Sequence, residues 1–148
     1  VTFVYPVHLS PVVRECAGRN LGGLPNVCLI DPINVEEMHN LMARSYLVMT
    51  DSGGLQEEAP ALGKPVLVMR RETERPEAIA AGTAKLAGVE TERIVSMANT
   101  LLDDPAAYEK MAKAVNPYGD GNACSRIADA IAWHFGVQPQ RPADFSAE

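Results

Sequence analysis

The sequence lacks the features that mark membrane, metal-binding and nucleic-acid-binding proteins. No apolar run approaches the roughly 20 residues that a membrane span needs, and no basic-then-apolar leader precedes the first apolar run. The HExxH, GxSxG, P-loop and DxD motifs are missing, as is any metal-ligand spacing. Lysine and arginine are scattered through a chain of net charge −6. This distribution disfavours nucleic-acid binding. We therefore expect no membrane or nucleic-acid partner, and no metal or cofactor.

Cysteine is scarce and odd in number. Cys16, Cys28 and Cys124 show no CxxC spacing and lie in apolar stretches. Such residues are typical of reduced core cysteines, rather than of a disulfide framework or a catalytic thiol. We expect three reduced, buried thiols and a cytoplasmic protein.

Short apolar runs alternate with helix-like segments through the first part of the chain. The runs lie at 1–5, 26–30, 46–50, 65–69 and 84–88. Their near-continuous apolar character is typical of parallel strands that are covered on both faces. Between them, Ser10-Pro11 and the capping box of Asn34 and Glu37 predict helix starts. The pattern predicts an α/β fold, a Rossmann-like doubly wound parallel sheet.

The last third of the chain reads as helical. Helices are predicted at roughly 90–102, 105–114 and 122–135, separated by Asp103-Asp104-Pro105 and by the NPYGDG turn. The Pro-rich, polar stretch at 136–148 predicts a loosely ordered, flexible tail. At 148 residues, the length suits one domain, which we place at 1–135.

Two glycines separate the third apolar run from a helix-like stretch. We call Ser52, Gly53 and Gly54 the SGG turn. Ligands of open parallel sheets bind at the carboxyl ends of strands. Here glycines let the backbone approach a ligand, and the helix that follows offers unpaired N–H groups and the positive end of its dipole. The SGG turn therefore predicts a diphosphate site, with an ordinary β-to-α turn capped by serine as the alternative.

Charged residues near this turn suggest further ligand contacts. Glu58 lies more than one helical turn beyond the SGG turn, where a carboxylate can accept ribose hydroxyls without repelling phosphates. The alternative for Glu58, as for Gln56 and Glu57, is stabilisation of the helix dipole.

A dense charged stretch, the RRETER loop (residues 70–75), follows the fourth apolar run. Arg75 precedes Pro76 at a predicted helix start and is the first choice for a phosphate contact. The alternative is a solvated loop of mutually paired charges. His8, after the first run, is a candidate hydrogen-bond donor, with a purely structural histidine as the alternative.

Five stretches together carry a family resemblance: YPVHLSPVVRE (5–15), LIDP (29–32), TDSGGLQEEAPALGKPVLVMR (50–70), ETERPEA (72–78) and NPYGDGNACSRI (116–127). With them, the sequence resembles the non-hydrolysing UDP-N-acetylglucosamine 2-epimerases of bacteria. The resemblance implies the carboxyl-terminal half of a GT-B type two-domain enzyme. It further implies interconversion of UDP-GlcNAc and UDP-ManNAc in cell-envelope polysaccharide biosynthesis, by elimination of UDP and re-addition.

The resemblance also implies residue roles. Ser52 and the amides of Gly53 and Gly54 would bind the diphosphate, Glu58 the ribose hydroxyls, and Arg75 the phosphate side of the cleft.

The loop after Asp31 would hold uracil. Ile33 would contribute its backbone, and Met38 occupies a place that is often aromatic in the family. His8 would contact a second UDP-GlcNAc that acts as an allosteric activator.

Some parts of the family pattern are missing. The acid/base carboxylates and the THRRE-type stretch with its essential histidine are not found, so we expect no catalytic residue in this chain. We expect a portion that lacks the first strand and helix of its domain, binds UDP weakly and does not epimerise alone. The resemblance implies a homodimer for the whole enzyme. The alternatives are the nucleotide-binding domain of a GT-B glycosyltransferase, a hydrolysing relative, and a non-catalytic fragment that binds UDP-sugars.

Overall fold

The computed structural model describes residues 1–145. Within them, five strands and seven helices follow one another in largely alternating order. The strands are β1 (Phe3–Pro6), β2 (Val27–Ile30), β3 (Val48–Thr50), β4 (Val66–Val68) and β5 (Ala84–Leu86). The helices are α1 (Pro11–Leu21), α2 (Val35–Arg44), α3 (Gly53–Ala61), α4 (Pro76–Ala81), α5 (Thr91–Asp103), α6 (Pro105–Ala112) and α7 (Ala123–His134). Each predicted strand and helix overlaps an observed one.

The chain divides into two compact units, Val1–Leu41 and Met42–Glu148. In the first unit, β1 pairs in parallel with β2. The apolar side chains of β1 remain exposed on both of its faces: Phe3 is 45% exposed, Val4 42% and Tyr5 38%. The prediction that apolar strands are covered on both faces is therefore wrong for β1, because packing leaves its side chains exposed on both faces of the two-stranded sheet.

In the second unit, β4 lies between β3 and β5, and all pairs are parallel. All three residues of β4 are fully buried, as predicted for an interior parallel strand. Leu67 of β4 packs in a buried cluster with Leu101 of α5 and Met111 of α6. This core holds the carboxyl ends of β3 and β4 in place.

The predicted helix starts differ in how they are capped. At α2 the capping box is confirmed: the Glu37 N–H donates to Asn34 Oδ1 at 2.9 Å, and the Asn34 N–H donates to Glu37 Oε2 at 3.1 Å. Ser10 precedes α1 as predicted, but its side chain makes no capping bond. Asp104 caps α6 through the N–H groups of its first turn, which explains the break before Pro105.

The prediction that the cysteines lie in the core is wrong, since Cys16, Cys28 and Cys124 are all exposed free thiols. Cys28 pairs with Val4 on an exposed face of the two-stranded sheet. The apolar context of a strand indicates burial only when something packs on that strand, and neighbouring sequence does not reveal this.

Residues 137–145 form neither helix nor strand. The looseness of the tail stays a prediction, and 146–148 lie outside the described residues.

Among the helices of residues 1–145, none combines the length and apolarity required to cross a bilayer.

Candidate functional site

The SGG turn lies at the carboxyl end of β3, where α3 begins. Ser52 occupies the N-cap position in an extended conformation, yet its side chain makes no capping hydrogen bond. Its N–H instead donates to Thr50 Oγ1 at 3.0 Å. The serine-cap alternative is thus not what the structure shows, and the first turn of α3 presents its N–H groups without a side-chain cap.

Three charged side chains approach the two glycines closely. A Cβ atom added to Gly53 would lie 2.9 Å from Glu74 Oε1 and 3.6 Å from Arg75 Nη2. A Cβ added to Gly54 would lie 3.3 Å from Glu58 Oε1. The structure therefore brings Glu58 and Arg75 to the SGG turn, and glycine at both positions leaves room for them.

Arg75 is held by contacts on both sides of its guanidinium. Its Nε donates to Glu57 Oε1, and its Nη1 donates to the Glu74 carbonyl oxygen at 3.2 Å. The bond to Glu57 raises the pKa of Arg75, so the side chain stays charged. Arg75 immediately precedes α4, which starts at Pro76 as predicted. These contacts turn Nη2 toward Gly53.

The other arginines of the RRETER loop form ion pairs. Arg70 contacts Glu74 at 2.5 Å, and Arg71 contacts Glu90 at 3.6 Å. The pKa of Glu74 is lowered by a hydrogen bond from its own backbone and, less strongly, by Arg70. Within the part of the chain that the structure describes, mutual pairing inside the loop is thus seen only for Arg70 and Glu74, since Arg71 and Arg75 pair with glutamates outside the loop.

Sequence reasoning missed Gln56 and Thr73. Gln56 is fully buried, and its Nε2 donates to the Ser52 carbonyl oxygen at 3.1 Å. Its Oε1 accepts from Thr73 Oγ1 at 2.6 Å, and Thr73 Oγ1 accepts from the Arg75 N–H at 3.1 Å. The only sequence signal was the four-residue spacing from Ser52 to Gln56, which puts both on one helix face.

The NPYGDG segment braces the same region. The Tyr118 hydroxyl accepts from the Ala78 N–H in α4 at 3.2 Å, and burial raises the pKa of Tyr118. Asp120 accepts two hydrogen bonds from Arg126, at 2.6 and 2.7 Å. This forked contact holds the pKa of Asp120 well below its usual range. The motif therefore links the start of α4 to the start of α7.

The remaining predicted site residues belong to the first unit. His8 is exposed, and its Nδ1 accepts a hydrogen bond from the Ser10 N–H at 3.1 Å. Ile33 and Met38 are half-buried, Ile33 just before α2 and Met38 in its first turn. Their roles with uracil or an activator stay predictions.

Among residues 1–145, no three side chains of His, Cys, Asp or Glu are grouped to hold a metal ion. The parallel strands and the crossover helices define an α/β protein of the Rossmann-like class. The helix terminus after β3 has no side-chain cap, and helix termini of this kind favour anions.

Comparison with known proteins gives the family. The family model described as UDP-N-acetylglucosamine 2-epimerase matches residues 1–132, so the chain belongs to that family. The UDP-N-acetylglucosamine 2-epimerase of Bacillus subtilis is 52% identical over 148 residues, which are 100% of this chain and 39% of that protein. The enzyme of Escherichia coli K12 is 56% identical over 131 residues, 88% of this chain and 35% of its own length.

Solved structures of the same family have a similar fold. The complex of S. aureus MnaA with UDP has a TM-score of 0.92 at 45% identity, and covers 98% of this chain and 40% of its own. The Neisseria meningitidis UDP-GlcNAc 2-epimerase bound to UDP-GlcNAc has a TM-score of 0.80 at 50% identity, with 88% of this chain and 36% of that chain covered. The predicted family and fold class are confirmed. The chain spans 35 to 40% of the length of these relatives.

Proposed function

We propose that this chain is the UDP-binding portion of an enzyme that interconverts UDP-GlcNAc and UDP-ManNAc. The observation that carries the proposal is the uncapped start of α3, with Arg75 Nη2 3.6 Å from the Cβ position of Gly53. Membership of the epimerase family supports nucleotide-sugar chemistry, and related structures contain UDP or UDP-GlcNAc.

The diphosphate binds at the SGG turn. The N–H groups of Gly53 and Gly54 and the Ser52 hydroxyl donate to phosphate oxygens, and the α3 dipole favours the negative charge. Arg75 adds a full positive charge on the loop side through its Nη2. Glu57 accepts from Nε of this guanidinium, and the phosphate contact uses a different nitrogen, Nη2.

The nucleoside extends away from the turn. Glu58 accepts hydrogen bonds from the ribose hydroxyls, which its place beside Gly54 allows. Ile33 and Met38 contact the uracil, as the family resemblance implies. His8 contributes to a second, activating UDP-GlcNAc site.

The site assists the reaction by stabilising the leaving group. A base removes the C2 proton of the sugar, that electron pair forms a C1–C2 double bond, and the C1–O bond to UDP breaks. UDP then adds back at C1, and a proton is delivered to the opposite face of C2, which gives the C2 epimer. Fixed donors around the diphosphate stabilise the charge that develops on departing UDP. We assign no proton transfer to the residues of this chain, so the 148-residue chain alone does not epimerise.

We place the whole enzyme in the cytoplasm, as a homodimer in cell-envelope polysaccharide synthesis that binds neither nucleic acid nor membrane. The three cysteines support the compartment, because free exposed thiols are typical of reducing environments.

Product analysis tests the proposal. Incubation of the full-length natural protein with UDP-GlcNAc, without an acceptor, should yield UDP-ManNAc in the NMR spectrum. Free ManNAc with UDP would instead identify a hydrolysing enzyme, and turnover only with an acceptor would identify a glycosyltransferase. Turnover of UDP-GlcNAc by the purified 148-residue chain would contradict our assignment of proton transfer to other parts of the enzyme.

A further inference from the structure

A partly buried chain of hydrogen bonds, centred on the buried Gln56, joins the SGG turn to Arg75. It runs from the Ser52 carbonyl through Gln56 and Thr73 to the Arg75 backbone, with donor–acceptor distances of 3.1, 2.6 and 3.1 Å. Gln56 and Thr73 are 17 residues apart in sequence. These hydrogen bonds therefore connect the start of α3 to the RRETER loop, two segments that are distant in sequence.

Only one arrangement of protons satisfies this chain. The Ser52 carbonyl can only accept, so the Gln56 NH₂ group must face it and Oε1 must face Thr73. The Arg75 N–H can only donate, so the Thr73 hydroxyl accepts from it and directs its own proton to Gln56 Oε1. A single proton arrangement favours one geometry, because every alternative leaves a polar atom of the buried Gln56 side chain unpaired.

The favoured geometry is the placement of Arg75 beside the start of α3. The hydrogen bonds set the distance between the backbone at the start of α3, where the Gly53 amide lies, and the backbone at Arg75. Gln56 is inaccessible to solvent, so it cannot itself contact a ligand. We propose that Gln56 and Thr73 are positioning residues, which hold Arg75 in register with the SGG turn for binding a diphosphate. This role depends on the function proposed above.

The test is a set of UDP affinities measured by calorimetry on the full-length natural protein. Thr73→Val keeps the side-chain shape but loses the hydroxyl, and should weaken UDP binding about tenfold, on the scale of one lost hydrogen bond. Thr73→Ser keeps the hydroxyl and should stay within about threefold of wild type. Gln56→Leu is a second variant that breaks the chain and should act like Thr73→Val. Thr100→Val, at an exposed helix position, is the matched control and should change nothing.

Two comparisons separate positioning from general destabilisation. In an Arg75→Ala background, Thr73→Val should cause no further loss of UDP affinity, because the group that it positions is gone. Binding of uridine, which has no phosphate, should not respond to Thr73→Val in either background. An equal loss in both backgrounds, or an equal loss for uridine, would overturn the positioning role.

The same measurements separate this inference from the proposed function. If the wild-type protein fails to bind UDP, the proposed function fails and this role fails with it. If wild type binds UDP and Arg75→Ala weakens binding while Thr73→Val does not, only the positioning role is refuted.

Discussion

The guanidinium of Arg75 approaches Gly53, with Nη2 3.6 Å from the position that a Cβ on that glycine would take. Gly53 is the first residue of α3, which follows β3, and Arg75 lies in the loop after β4. Parallel pairing of these strands brings the loops to the same sheet edge. The N-terminus of α3, the Arg75 guanidinium and the Glu74 carboxylate thus meet at this edge. The first two favour a ligand with adjacent negative charges.

Gly53→Ala tests this close approach. The new methyl group would lie 2.9 Å from Glu74 Oε1 and in contact with Arg75, so both side chains must shift. We expect UDP affinity to fall about tenfold, while stability changes by less than about 1 kcal/mol because alanine favours the helix. Calorimetry and thermal melts measure the two effects.

Gly18→Ala is the control for this substitution. A Cβ at Gly18 in α1 meets no atom within 4 Å, so stability should rise by about 0.5–1 kcal/mol with UDP affinity unchanged. Unaltered UDP binding by Gly53→Ala would contradict a diphosphate at the SGG turn.

Glu58→Gln tests the ribose contact. If Glu58 accepts hydrogen bonds from the ribose hydroxyls, the variant should bind UDP about tenfold more weakly. The reason is that glutamine offers a neutral acceptor in place of the charged carboxylate. Affinity for 2′,3′-dideoxy-UDP should hardly change, because that nucleotide lacks both hydroxyls. Glu92→Gln, at an exposed position of α5, is the control. Equal losses for both nucleotides would show that Glu58 acts on the site as a charge rather than as a ribose ligand.

Asp120→Asn tests the brace in the NPYGDG segment through pH. The pKa of Asp120 is lower in the folded chain than its unfolded value of about 4, because Arg126 stabilises the carboxylate. Its contribution to stability is therefore complete above about pH 4 and is lost as pH falls toward the lower folded pKa. The melting temperature of wild type should exceed that of the variant at pH 6, and the gap should narrow at pH 3.

Asp129→Asn, an exposed change in α7, should show no such pH-dependent gap. A gap for Asp120→Asn that stayed constant from pH 6 to pH 3 would show that the carboxylate charge is not what Arg126 stabilises.

Local patterns predicted most of the fold. The order of strands and helices follows from the spacing of apolar runs, and the capping box at Asn34 and Glu37 is readable because both partners lie within one helical turn. The SGG turn was predictable for the same reason. Strand, glycines and helix are adjacent in sequence, and their chemistry follows from that order.

Long-range contacts were not predictable in this way. The sequence suggested only helix stabilisation for Gln56, and its contact with Thr73 is visible only in the structure. Likewise, Tyr118 reaches the N–H of Ala78 across 40 residues. The prediction of buried cysteines was wrong because it relied on their apolar neighbours in sequence. Burial depends instead on what packs against the helix or strand that carries each cysteine.

The most direct test of the account is an NMR titration of the protein labelled with ¹⁵N-glycine, with Gly53 and Gly54 assigned from their alanine variants. UDP should shift the amide resonances of both glycines in a saturable way. Uridine should leave them nearly unchanged, because we propose that α3 binds the diphosphate. Saturation with UDP that left both resonances in place, or equal shifts with uridine, would contradict the diphosphate site at the SGG turn.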